Sequence, residues 1–288
     1  MNFPDWRSLS PHELDWAYDQ TQHASNMREV LDRCAQQSAA VWKHSSPPQT
    51  QAYGPAPIET LHWYRSHAPK APVVFFIHGG AWRSGRAQDY AFGVPWLLAM
   101  GVDVVIPDFS SVLDTQGQLM PMAVQLQHAL AHVVHHSEPM QTDASRIYVC
   151  AHSSGAHLAA CLPTLNWQHM AGGRAPVAGL LCCSGLFDLE PVRHSSRSQY
   201  VRFDDAVVHQ LSPVRHITAF DMPVTVLCGT RESPEFMRQS AAFDAALAAH
   251  GVAHRLVWGQ GLNHFEMLAS QASAQGVMGQ ALAQLIMG

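Results

Sequence analysis

The stretch Ile147-Tyr148-Val149-Cys150-Ala151-His152-Ser153-Ser154-Gly155-Ala156-His157-Leu158 decides the fold. Its apolar run, 147–150, reads as a buried strand, and the Ala-rich segment 154–165 reads as a helix. The chain must turn sharply between them. A Ser at the apex of such a turn needs small residues two before and two after it, because larger side chains collide with the flanking strand and helix. Ala151 and Gly155 meet that need for Ser153. Choosing Ser154 instead would put His152 in one of those positions, and an imidazole does not fit there. Ser153 is therefore the expected nucleophile. The amides and dipole of the following helix favour negative charge beside it. A plain helix-capping Ser has the same local sequence, so the rest of the chain must supply the partners of a reaction.

Working outward, further largely apolar runs occupy 73–77, 102–106, 177–183 and 224–228. Runs that are apolar on both faces, separated by helix-length segments, are what a parallel sheet covered on both sides requires. The intervening segments 95–100, 121–137 and 233–250, and the segment from 265 to the end, read as helices. A half-exposed strand is expected over 58–64 and a last strand over 253–258. These units form one α/β domain over 1–288, with a mostly parallel sheet. An N-terminal helical extension, 1–57, precedes the sheet. It has a capped start at Ser10-Pro11-His12-Glu13, a second helix over 26–43, and a Pro-, Gln- and Ser-rich loop over 45–57. The polar stretch 188–213 breaks the alternation. It is expected to form a small helical excursion, a candidate lid, over the edge of the sheet where ligands bind.

Composition narrows the function. The 288 residues are 47% hydrophobic and 14% charged, with a formal net charge of −5. Lys occurs only at 43 and 70, so no basic cluster exists to neutralise nucleic-acid phosphates. The N-terminus lacks the pattern of a secretory leader, and no apolar run is long enough for a bilayer. Cys34, Cys150, Cys161, Cys182, Cys183 and Cys228 are expected to be reduced thiols in a cytoplasmic protein. The sequence leaves the oligomeric state open, a homodimer included.

A reacting Ser needs a base, an acid to orient that base, and donors for an oxyanion. His264, in Gly261-Leu262-Asn263-His264-Phe265, lies between the last strand and the last helix, where a triad His belongs. The acid should follow the run 224–228. Glu232 is expected, with Asp188 as rival. After the run 73–77 comes His78-Gly79-Gly80-Ala81-Trp82, whose glycines let backbone approach a substrate closely. The backbone around Gly79, Gly80 and Ala81 can aim free amides at a developing oxyanion. Trp82, Phe109, Phe187 and Phe236 are candidate substrate contacts, although each such aromatic is more often core than contact.

With these residues placed, the chain resembles the arylformamidase (kynurenine formamidase) branch of the α/β-hydrolases over nearly its whole length. The resemblance is carried by His78-Gly79-Gly80-Ala81-Trp82, the Ser153 turn with His157-Leu158, Gly185-Leu186-Phe187-Asp188-Leu189-Glu190-Pro191, Leu211-Ser212-Pro213 and Asn263-His264-Phe265-Glu266. Its most specific item is Ser233-Pro234-Glu235-Phe236-Met237-Arg238-Gln239-Ser240. In that family the residue before this run is the triad acid, usually Asp; here it is Glu232, one methylene longer. The resemblance implies hydrolysis of N-formyl arylamines and simple aryl esters, without metal or organic cofactor. It also implies that the amides of Gly80, Ala81 and Ser154 hold the oxyanion. A short-chain carboxylesterase or carbamate hydrolase and a non-catalytic binding protein on the same fold stay open. His128, His132, His135 and His136 have a spacing that suits one helix face and could hold a metal, but no Cys or carboxylate is placed among them, and a solvated His-rich face is expected.

Overall fold

The computed structural model describes residues 3–44, 47–170 and 172–288. In chain order the elements are α1 (Pro11–Tyr18), α2 (Met27–His44), β1 (Gln49–Ala52), β2 (Thr60–Tyr64), β3 (Ala71–Ile77), α3 (Val94–Ala99), β4 (Asp103–Pro107), α4 (Met120–His135), β5 (Thr142–His152), α5 (Ser154–Cys161), β6 (Gly179–Cys183), α6 (Leu189–Val192), α7 (Asp205–Gln210), β7 (Val224–Gly229), α8 (Pro234–Ala249), β8 (His254–Gly259), α9 (His264–Ala269) and α10 (Val277–Met287). The eight strands form one sheet in the order β1-β2-β4-β3-β5-β6-β7-β8. β2 runs antiparallel to β1 and β4, and the other pairs are parallel.

The period of two along each strand sorts the core into two layers. Val73, Phe75 and Ile77 of β3, with Ile147, Val149 and Ala151 of β5, face α4, α5 and α8. Val74 and Phe76, with Cys150, face the layer of α2, α3, α9 and α10. β3 is buried over its whole length, as a central parallel strand must be. The capping start at Ser10 forms as expected: the Ser10 hydroxyl accepts from the Glu13 amide and the Glu13 carboxylate accepts from the Ser10 amide.

Three expectations need correction. The strand expected to be half-exposed over 58–64 is Thr60–Tyr64, buried at every residue after Thr60. The segment 45–57 is not all loop, because Gln49–Ala52 pairs with β2 as the sheet's edge strand. Residues 45 and 46 lie outside the described residues. Gln-Thr-Gln-Ala has no apolar alternation to announce a strand. Backbone pairing with β2 makes it one, and its polar, largely exposed side chains suit an edge. The final helix is broken: α9 ends at Ala269, a 3-10 turn covers Ser270–Ala272, and α10 restarts after Gly276. Gly276 and Gly279 lie so close to the carbonyls of Ser270 and Ser273 that no Cβ fits at either position.

Asp103, at the start of β4, is fully buried. It accepts from Trp63 Nε1 (3.1 Å), Arg65 Nε (2.8 Å), the Ser66 amide (2.8 Å) and the Ser66 hydroxyl (2.7 Å). One carboxylate thus ties β2 and the turn after it to β4. Asp103→Ala leaves the buried Trp63 N–H and the part-buried Arg65 and Ser66 donors unpaired. It is expected to destabilise the fold by about 3 kcal/mol or more, read as a fall in Tm and in the denaturant midpoint.

Candidate active site

β5 ends at His152, and Ser153 follows with φ 58° and ψ −129°, a conformation unfavourable for any residue with a Cβ. The surroundings enforce it. The Ser153 amide donates to the Cys183 carbonyl of β6 (2.9 Å), and the Ser153 carbonyl accepts from the amides of Ala156 and His157 in α5. A Cβ at Gly79 would lie 2.9 Å from the Ser153 Cβ, and one at Gly155 would run into the Ile77 and His78 carbonyls. Both glycines are therefore required by close approach.

His264 opens α9. Asn263 caps that helix with Glu266 as its reciprocal partner, and both are tied to Asn26 at the start of α2. This fixes the imidazole between two groups. The Ser153 hydroxyl lies 2.9 Å from Nε2, and a Glu232 carboxylate oxygen lies 2.7 Å from Nδ1. The carboxylate can only accept, so Nδ1–H donates to it and Nε2 is left to accept from Ser153. The other Glu232 oxygen accepts from the Gly229 amide (2.7 Å) and the Ser184 hydroxyl (2.6 Å). The loop after β7 curls back on Gly229, and the Glu232 carboxylate reaches the imidazole from there. Asp188, the rival acid, is elsewhere engaged: it caps α6 through the Glu190 amide (3.1 Å) and faces Arg215 (3.4 Å).

Beside the serine, Gly80, Ala81 and Trp82 have φ of 119°, 55° and 61° in succession. Two non-glycine residues in this region need external restraint. Trp82 provides it. Its amide donates to the Ser154 hydroxyl (3.1 Å), its carbonyl accepts from the Val112 amide (2.7 Å), and its indole N–H donates to His157 Nδ1 (3.2 Å). His157 is able to accept there because burial pulls its pKa down to about 4, leaving it neutral, and its other nitrogen donates to the Leu211 carbonyl. The amides of Gly80, Ala81 and Ser154 meet no acceptor among the described residues.

A cavity of about 570 Å³ opens over Ser153, His264, Gly79, Gly80 and Ala81. The stretch 188–213 contributes Ser196, Arg197, Gln199 and Tyr200 to its wall, and the N-terminal extension contributes Tyr18, Gln20, Met27 and Leu31. The Ser233–Ser240 run holds the extension in place. The Tyr18 hydroxyl donates to Glu235 (2.6 Å) and accepts from Gln239 (3.0 Å), and the Gln20 amide donates to the Ser233 hydroxyl (2.7 Å). Arg238 grips the Glu235 carboxylate with two hydrogen bonds. The Ser196 amide donates to Asp15, which joins the two parts of the roof.

The four aromatic candidates are corrected: Trp82, Phe109, Phe187 and Phe236 do not line the cavity. Trp82 braces the glycine loop as described. Phe109 stacks on His78 (4.6 Å), Phe187 stacks on Phe243 (4.2 Å), and Phe236 meets the His264 ring edge-on (5.1 Å). Each ring is buried. His152, by contrast, was not anticipated. It borders the cavity, and its Nε2–H donates to the His264 carbonyl (2.9 Å). Burial and the neighbouring His264 ring push its pKa well down, so it stays neutral.

At the suggested metal site, His132 stacks on His136 (3.9 Å) and its Nε2 meets Gln51 (2.8 Å). Burial, aided by His136 and His135, lowers its pKa to about 4. Among the described residues no three His, Cys, Asp or Glu side chains come together as a metal site, and no helix is long and apolar enough to cross a membrane.

The chain is similar to several known proteins. A kynurenine formamidase of Danio rerio is 26% identical over 262 residues, covering 86% of this chain and 87% of that protein. An isoprenylcysteine alpha-carbonyl methylesterase of Arabidopsis thaliana is 30% identical over 112 residues, covering 38% of this chain and 26% of that protein. The crystal structure of a candidate thioesterase from Silicibacter sp. TM1040 superposes with a TM-score of 0.82 at 20% identity, covering 96% of this chain and 99% of that one. The BD-FAE family model matches residues 61–247, a span that includes Ser153, the glycine loop and Glu232. The chain belongs to the BD-FAE family and has the α/β-hydrolase fold.

Proposed function

We propose that the protein is a serine hydrolase that cleaves N-formyl arylamines, and short acyl aryl esters, through an acyl-enzyme on Ser153. The observation that carries this reading is the hydrogen-bonded chain Ser153–His264–Glu232 beside three unpaired backbone amides. The kynurenine formamidase relatives support hydrolysis of formamide or ester bonds. Six free, buried thiols support a cytoplasmic setting.

In this mechanism His264 Nε2 takes the proton of Ser153 as the hydroxyl oxygen attacks the formyl or acyl carbon. Glu232 fixes the tautomer and stabilises the imidazolium. Its charge is already satisfied by Gly229 and Ser184, so little reorganisation is needed when the imidazole charges. The oxyanion is received by the amides of Gly80, Ala81 and Ser154, with Gly79 supplying the clearance. His264 then protonates the leaving amine or alkoxide. Water enters, loses its proton to His264 and attacks the acyl-enzyme, returning Ser153 and a free acid.

Ser153→Ala is expected to abolish turnover of phenyl acetate and N-formylkynurenine and to block labelling by a fluorophosphonate, with Tm kept. Full turnover by that variant would end the reading. Ester turnover by the wild type with N-formylkynurenine untouched would select a carboxylesterase instead. Glu232→Gln is expected to cut kcat by about a thousandfold or more, because the imidazole loses its orienting charge. Asp188→Asn is expected to leave kcat within about threefold, and the reverse ranking would refute the acid assignment.

A further inference from the structure

Two guanidinium groups, Arg83 and Arg197, line the same cavity as Ser153 and His264. Arg197 is only 8% exposed. Its side chain donates to the Tyr18 carbonyl (2.9 Å) and to the Tyr200 hydroxyl (3.3 Å), and lies 5.3 Å from the centre of the Trp82 ring. Its Nε has no hydrogen-bond partner. Among the described residues no carboxylate comes within ion-pair distance of it, in contrast to Arg65, Arg193, Arg215 and Arg238. Arg83 is exposed, lies 4.5 Å over the Tyr200 ring and also lacks a carboxylate partner among the described residues. Asp19 is the sole acid among the residues lining the cavity. It is near enough to feel the Arg197 charge, but its oxygens are taken by Thr21 and Gln22.

A guanidinium has five N–H donors in a planar fork suited to a carboxylate. Arg197 uses few of them, on neutral acceptors, while nine-tenths of it is out of water. Removing a cation from water without a counter-charge is costly, and an anion arriving in the cavity would offset that cost. A purely structural brace between Tyr18 and Tyr200 would not require a charge. A formyl group carries no further substituent, so an anion near the guanidinium groups must belong to the other half of the substrate.

We propose that Arg197, assisted by Arg83, binds a carboxylate on the leaving group, so that the enzyme selects anionic arylamine and phenol leaving groups over neutral ones. The proposal rests on the serine-hydrolase reading, and phenyl acetate tests that reading separately.

The experiment compares 3-acetoxybenzoate with its methyl ester and 3-formamidobenzoate with 3-formamidobenzamide, using the full-length wild type, Arg197→Gln and Arg83→Gln. In the wild type the carboxylate of each pair is expected to lead by about tenfold or more in kcat/KM, chiefly through KM, and the lead should shrink with added salt. The ratio within each pair should approach one in Arg197→Gln and fall part of the way in Arg83→Gln. A wild type that turns over phenyl acetate but shows no lead for the carboxylate overturns the proposal. A lead that survives intact in folded Arg197→Gln also overturns it. If Arg197→Gln does not fold, the wild-type ratio and its response to the exposed Arg83→Gln change decide the matter. Absence of phenyl acetate turnover in the wild type would count against the serine-hydrolase reading instead.

Discussion

The strained backbone at Ser153 is the constraint on which the rest of the site depends. A residue with a Cβ at φ 58° and ψ −129° stores on the order of 1–3 kcal/mol, and only over-determined surroundings hold it there. Here β6 holds its amide and α5 its carbonyl, while Gly79 and Gly155 remove the side chains that would push it back. The result is a hydroxyl lifted clear of the sheet, at the N-terminus of a helix and within reach of an imidazole 111 residues later in the chain. Strand, helix and glycine loop make one mechanical unit.

A second strained unit lies opposite. Gly80, Ala81 and Trp82 turn their backbone into the left-handed region, and their restraint passes through Trp82 to Ser154, Val112 and a neutral His157. Aromatic residues near the serine therefore serve the backbone before they serve a ligand. The same holds for the Ser233–Ser240 run. Its polar side chains do not line the cavity; they fasten Tyr18 and Gln20, and through them the N-terminal extension, over the site. The roof brings Arg197 and Tyr200 from one excursion together with Tyr18 and Gln20 from another around the cavity.

Electrostatically the site separates two kinds of buried charge. Glu232 has both oxygens satisfied, by His264, Gly229 and Ser184, which holds it still beside the imidazole. Arg197 is incompletely satisfied, which suits a group awaiting something from outside. The neighbouring histidines, His152 and His157, are kept neutral by burial, so neither competes with His264 for charge.

Much of this was legible in the sequence because it is local. A buried parallel strand announces itself by a continuous apolar run, and the small-residue spacing around Ser153 follows from the sterics of a single turn. Chain order then points to Glu232 and His264, since each follows a strand at the sheet's ligand-binding edge. The edge strand Gln49–Ala52 was not legible, because its structure comes from the backbone of a neighbour and its side chains carry no pattern. Nor were the cavity walls legible. Trp82 and Arg197 are 115 positions apart in the chain, and nothing in their own neighbourhoods says that one ring lies near one guanidinium, or that no carboxylate will come to meet it. Sequence by itself set the elements and the reacting groups, through short-range sterics and hydrophobic periodicity. Tertiary structure alone decided which aromatics became struts and which cation was left facing the cavity, because those outcomes depend on how distant segments exclude water from one another.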